Sequence, residues 1–142
     1  MIANQLCTFE LAGMLFGVAA TDVQEIARPQ PITRVPLAHP AIAGLLNLRG
    51  QIVTTIDLRA RLGLQPRPIT ERPFNVVVRS ADGVFSLLVD AIGDVVEPQA
   101  AQADHVPETV PIALRELIAE TYKLPDRFLF ALVLERIVSL PV

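Results

Sequence analysis

The chain has 142 residues, of which 51% are hydrophobic, with a mean hydropathy of +0.45 and a formal net charge of −3. That is enough apolar material for the core of one domain, yet no stretch approaches the roughly 20 apolar residues that cross a bilayer as a helix, so the surplus is buried or offered to protein partners. The basic residues are scattered, aromatics are 5% with no Trp, and Cys7 is alone; this argues against a nucleic-acid surface, an internal disulfide and a cysteine metal cluster.

Met1 to Gln5 carry neither a basic stretch nor a long apolar run, and the expectation is a cytoplasmic chain without a secretory signal. Leu6 to Leu11 and Leu15 to Ala19 then read as strands joined by an Ala12-Gly13 turn, with Cys7 as a small core residue. Thr21 is placed to cap a helical turn running to Ile26, and the prolines between 29 and 40 break the chain after it. Leu48 and Ile52-Val53 flank an Arg-Gly step. Gly50 tolerates positive φ, so Arg49 is expected at a tight turn or bulge where two strands meet, the second being Gln51 to Ile56. Leu58 to Leu62 reads as a short helix ended by Gly63. Past the prolines at 66 to 73, Phe74 to Arg79 and Val84 to Val89 form a hairpin across Ala81-Asp82-Gly83. Ile112 to Tyr122 has helical spacing at Leu114, Leu117, Ile118 and Tyr122, and Phe128 to Leu134 reads as a last strand.

Two blocks resemble each other without a gap: Phe16 to Pro29 and Phe85 to Pro98, each followed by a loop reaching Val-Pro at 35–36 and 106–107. Each half is too small to bury its own sheet faces, so two small β units pressed together are expected to share a core. Catalysis finds little support. There is no phosphate-cradling glycine loop and no nucleophile elbow, and Ser80, Ser86 and Ser139 have no base nearby in sequence. His39 and His105 lie in proline-rich loops without a third ligand at metal spacing, and Asp57, Asp90 and Asp94 stand at strand ends where Asp caps turns. Glu25 and Arg49 stand out because each lies in an otherwise apolar block; they either pair with each other or face a partner, and the two roles are compatible.

Val23-Gln24-Glu25-Ile26, the Ile32-Thr33-Arg34-Val35-Pro36 loop, the block Gly44 to Arg59 containing Asn47-Leu48-Arg49-Gly50 and Asp57-Leu58-Arg59, and Val89-Asp90 through Val95 occur in this order over almost the whole chain. In this the sequence resembles the CheW-like adaptor domains of bacterial chemotaxis, departing from their pattern at Thr54, at Ser86 and over Ile118 to Tyr122. The resemblance implies a mainly β fold with two SH3-like five-stranded β-barrel subdomains around a shared core and a few short helices. It also implies a single domain over residues 1–142, with approximate halves 12–72 and 73–142.

The function implied is a non-catalytic adaptor, without cofactor or metal, coupling chemoreceptors to a CheA-type histidine kinase; the alternative within the family is an adaptor of a pilus-motility or other chemosensory kinase array. One face, chiefly on the first barrel, is expected to dock the kinase's own CheW-like regulatory domain, and a groove between the barrels to accept the cytoplasmic hairpin tip of the receptor. Expected groove residues are Val23, Ile26, Gly44, Leu46, Asn47, Val76 and Ser86, with Val23 and Leu46 open to the plainer reading of core; Glu25 and Arg49 form the kinase-binding or structural charge pair. No nucleic acid and no direct membrane insertion are expected, only recruitment to membrane-associated receptor arrays.

Overall fold

Local turn chemistry sets the hairpins of this chain, whose computed structural model describes residues 5–140. Strands β1 (Leu6–Leu11) and β2 (Met14–Ala19) are joined by Ala12 and Gly13, both at positive φ, and β4 (Ile42–Leu48) and β5 (Gln51–Asp57) by Arg49 and Gly50, at φ 53° and 84°. Two consecutive positive φ values match the right-handed twist of the flanking strands. The expected turn at Arg49-Gly50 is therefore present, with the arginine itself in the left-handed region. Asp57 caps α1 (Leu58–Arg61) by accepting the Arg59 N–H at 3.1 Å, and Gly63 at φ 74° follows its end.

Two segments read as helical are strands. Residues 23–27 form β3 (Val23–Ala27), preceded by a single 3₁₀ turn at Ala20–Asp22. They alternate half-buried Val23, Glu25 and Ala27 with exposed Gln24 and Ile26, and they pair with β6 (Phe74–Ser80), a partner some fifty residues away that a local reading does not see. In Ile112 to Tyr122 only α2 (Ile112–Arg115) is helical, and Ile118–Lys123 becomes β10, paired with β11 (Phe128–Leu132). Leu114, Leu117 and Ile118 are buried all the same. The remaining elements are β7 (Gly83–Val89), β8 (Ala91–Val96), a second 3₁₀ turn at Ala100–Gln102, the two-residue β9 (Ala103–Asp104) and α3 (Leu134–Val138). Cys7 is half-buried on β1 rather than in the core, and burial pushes its thiol pKa up.

The strands form a six-stranded sheet, β8-β1-β2-β11-β10-β9, and a five-stranded sheet, β3-β6-β7-β5-β4, in place of two five-stranded units. The internal similarity of the sequence reappears as matched pairing. β2 lies antiparallel to β1 and parallel to β11, as β7 lies antiparallel to β6 and parallel to β5. The isolated bridge Thr33–Leu45 is the counterpart of β9 against β10, and α1 after β5 is matched by α3 after β11. Each sheet combines the first hairpin of one repeat with the later strands of the other, so neither sheet is confined to residues 12–72 or 73–142.

This exchange puts one core between the sheets. Phe9, Leu11, Phe16 and Val18 from the first pack with Ile56, Val76, Val78, Leu87 and Val89 from the second, closed by Leu58, Leu114, Leu134 and Ile137. Each fully buried Leu, Val or Phe contributes roughly 1.5–3 kcal/mol, so the exchange is held chiefly by this cluster. Side-chain alternation sends Val77 to the opposite face, where it meets Leu46 and Leu48 with Ala27 and Val84 against them. Ala27 belongs to one edge strand and Leu46 to the other, so the five-stranded sheet curls on itself around this smaller cluster.

Candidate partner-binding surface

The curled sheet divides the expected groove residues into three groups. Leu46, Val76 and Ser86 are fully buried and present no surface to a partner. Leu46 packs in the smaller cluster and Val76 in the shared core, while the Ser86 hydroxyl donates to Asn75 Oδ1 at 2.8 Å and Asn75 Nδ2 donates to the Arg28 carbonyl at 3.1 Å. Gly44 is also buried, at φ 150°. Its missing side chain makes room for the chain itself: an added Cβ would overlap the Thr33 carbonyl oxygen and lie 2.8 Å from Ile32 Cγ2. The two backbone bonds between Thr33 and Leu45, 2.9 and 2.7 Å, depend on that approach. Val23 is half-buried against the shared core, and only Ile26 and Asn47 are exposed.

Parity explains the division. Leu46 and Asn47 are neighbours in one strand, so they point to opposite faces. The register of β4 with β5 places Asn47 opposite Ile52 and Leu45 opposite Thr54, and these four share the outer face of the hairpin. Ile52, which the sequence reading did not select, is 60% exposed. At the far end of that face the loop Val35 to His39 borders a shallow, largely apolar depression of about 320 Å³, floored by Ile42, Leu45 and Thr54. Leu37 stands fully exposed in this loop, at φ 64°. Turn register plus strand alternation is the signal that identifies this face.

At the near end Arg49 donates to Glu25 Oε1 at 2.6 Å, its side chain 77% exposed and that of Glu25 19%. The hydrogen bond to Glu25, with the carboxylate's charge, pushes the Arg49 pKa up. The pair joins edge strand β3 to the turn beyond edge strand β4, and Asn47 Oδ1 accepts the Gly50 N–H at 3.0 Å beneath it. The internal bridge therefore exists, and most of the arginine remains open to a partner.

A second ionic site was not anticipated. Asp90, between β7 and β8, accepts the Ala12 N–H at 2.8 Å, Arg59 Nε at 3.0 Å and Arg67 Nε at 2.9 Å, and it pairs closely with Arg59 Nη2. Arg59 Nη1 also donates to the Gln65 and Pro66 carbonyls at 3.1 and 3.3 Å. One carboxylate thus ties the β1–β2 turn, α1 and the linker between repeats. Burial by itself raises the Asp90 pKa, but the two guanidiniums and the Ala12 N–H outweigh it and hold the carboxyl below its ordinary value. Arg59 and Asp57 lie in the Asp-Leu-Arg motif, whose chemistry here is structural.

Among the described residues no three His, Cys, Asp or Glu side chains gather into a metal-holding group, and no helix is long and apolar enough to cross a membrane. What the surface offers is a sheet face of mixed apolar and polar side chains bounded by a loop and a charged turn, which suits a protein partner.

Comparison with known proteins follows the same line. The model of the CheW-like domain family matches residues 5–141. The chain is 30% identical over 126 residues to the chemotaxis protein CheW of Bacillus subtilis (strain 168), covering 89% of this chain and 81% of that protein. It is 28% identical over 138 residues to the chemotaxis protein CheW of Klebsiella aerogenes, covering 97% and 83%. The crystal structure of the scaffolding protein TtCheW from Thermoanaerobacter tengcongensis matches with a TM-score of 0.84 and 25% identity, covering 98% of this chain and 94% of that one.

Proposed function

Since this chain belongs to the CheW-like domain family, we propose that it is a non-catalytic scaffold that couples chemoreceptors to a CheA-type histidine kinase. The observation that carries this reading is the outer face of the β4–β5 hairpin. Asn47, Ile52, Leu45 and Thr54 form a strip running from the exposed Arg49 turn to the apolar depression under Val35 to His39. A helical receptor hairpin has no free backbone groups to offer a sheet, so it binds by laying apolar side chains on such a strip. Ile26 and Val23 on the neighbouring edge strand extend the contact, and Arg49 braces Glu25 while presenting its guanidinium to the receptor tip. The kinase regulatory domain docks elsewhere, so that both partners are held at once.

A scaffold in an exchanging array works with modest contact area and affinity. The test is reconstitution with a receptor cytoplasmic fragment and a kinase regulatory domain, followed by sedimentation. The expected result is a ternary complex containing all three chains. A chain that binds neither probe at micromolar concentration overturns the coupling role.

A further inference from the structure

Two arginines at the seam between the repeats are held in place without a carboxylate. Arg61, at the end of α1, donates from Nε to the Ile137 carbonyl at 2.9 Å and from Nη2 to the Arg136 carbonyl at 2.7 Å. Arg136, in α3, donates from Nη1 to the carbonyl of Glu116, the residue that ends α2, at 2.7 Å. Among the described residues neither arginine makes an ion pair, whereas Arg49, Arg59, Arg67 and Arg127 each do. Burial pushes the Arg61 pKa down, and no carboxylate offsets it.

Both side chains line one open depression of about 460 Å³, together with Glu116, Leu117 and Ser139. Anchoring on carbonyls leaves Arg61 Nη1 and Arg136 Nε and Nη2 as donors without a hydrogen-bond partner among the described residues. The same anchoring restricts two long side chains beforehand, so less rotamer freedom is lost when a ligand arrives. Ser139 adds a hydroxyl donor to the lining. Glu116, itself exposed, is the one acidic residue of that lining.

We propose that this depression binds a phosphate group, as the free ion or as a small phosphate monoester, between Arg61 and Arg136. One guanidinium fork is enough to engage both oxygens of a planar carboxylate. A tetrahedral phosphate turns separate oxygens toward two arginines that stand on different helices. Its charge also relieves a half-buried cation that has no counterion. Arg61 ties α1 of the first repeat to α3 of the second, so the bound phosphate clamps the repeats together and stabilises the folded chain. Glu116 repels the phosphate, which keeps the affinity modest and makes its removal a gain. The site does not depend on the coupling role proposed above.

The experiment titrates the full chain with inorganic phosphate and with glycerol phosphate at constant ionic strength set by chloride, following melting temperature and heat of binding. It compares wild type, Arg136→Gln, Arg61→Lys and Glu116→Gln. Expected is a saturable rise in the wild-type melting temperature that chloride does not reproduce. Arg136→Gln abolishes the rise, and Arg61→Lys weakens binding several-fold because an ammonium keeps the charge without the fork. Glu116→Gln reaches half-saturation at several-fold lower phosphate; it leaves every carbonyl bond in place and keeps the test open should the arginine variants not fold. The general stabilising effect of phosphate as an excluded salt is common to all four proteins and cancels in their comparison. A rise with inorganic phosphate alone assigns the free ion, and one that glycerol phosphate gives as well assigns the monoester. No saturable rise in wild type, an equal rise in Arg136→Gln, or an unchanged half-saturation in Glu116→Gln overturns the assignment, and none of these bears on the coupling role.

Discussion

The Asp90 cluster and the Glu25–Arg49 pair use the same chemistry to opposite ends. Arg59 and Arg67 are almost wholly buried around Asp90, and the contact joins three segments distant in sequence. Arg49 is mostly in water, and its pair joins two sheet edges where a partner can reach it. An ion pair removed from solvent is costly to break because the orphaned charge stays buried, whereas an exposed one is screened and weak. The Asp90 cluster is therefore expected to weigh on stability, while the guanidinium of Arg49 stays open to solvent or to a partner.

The largest effect expected follows from Asp90→Ala. It strands two buried guanidiniums and the Ala12 N–H, and should destabilise the chain by about 3 kcal/mol in urea unfolding. A change under about 1 kcal/mol would show that solvent satisfies the arginines after the carboxylate is gone. The pH dependence has a definite sign. A carboxyl held below its ordinary value stabilises the fold above the unfolded-state pKa, and this is lost as pH falls through the folded value. Wild type should thus lose stability below about pH 4 more steeply than Asp90→Ala, and equal slopes would contradict the cluster.

Gly44→Val comes next. The added side chain meets the Thr33 carbonyl and forces a β-branched residue toward positive φ, at a cost of about 1–3 kcal/mol, with earlier hydrogen exchange at the Thr33 and Leu45 amides. Arg49→Ala is the smallest for stability. Melting temperature should stay within error of wild type while receptor binding weakens, and a clear drop in melting temperature would move the pair to the structural side of the comparison.

These contrasts also mark what the sequence could show. The Arg49-Gly50 turn, the Ala12-Gly13 hairpin and the short helix after Asp57 were legible because their causes lie within a few residues. β3 and β10 were misread because their identity comes from pairing with distant strands, which overrides local spacing. The repeat showed which segments are alike, but the exchange of first hairpins between sheets is a choice of partner that similarity leaves open. At the candidate site, Leu46 and Asn47 are both expected in the groove although strand alternation turns them to opposite faces, and Gly44 is expected there although the Ile32-Thr33 segment of its own chain fills the space beside it. Asp90 was legible as a strand-end residue and not as a hub, since Ala12, Arg59 and Arg67 converge only through the exchanged hairpin.

The most direct test of the division between a closed interior and an open recognition face is Ile52→Glu, measured for melting temperature and for binding to the receptor fragment and the kinase regulatory domain. Ile52 is exposed on the hairpin face whose opposite side carries the buried Leu46 and Leu48. The account predicts a melting temperature close to wild type, at least a tenfold loss of receptor binding and unchanged kinase binding. Unimpaired receptor binding by a normally folded Ile52→Glu protein would contradict it.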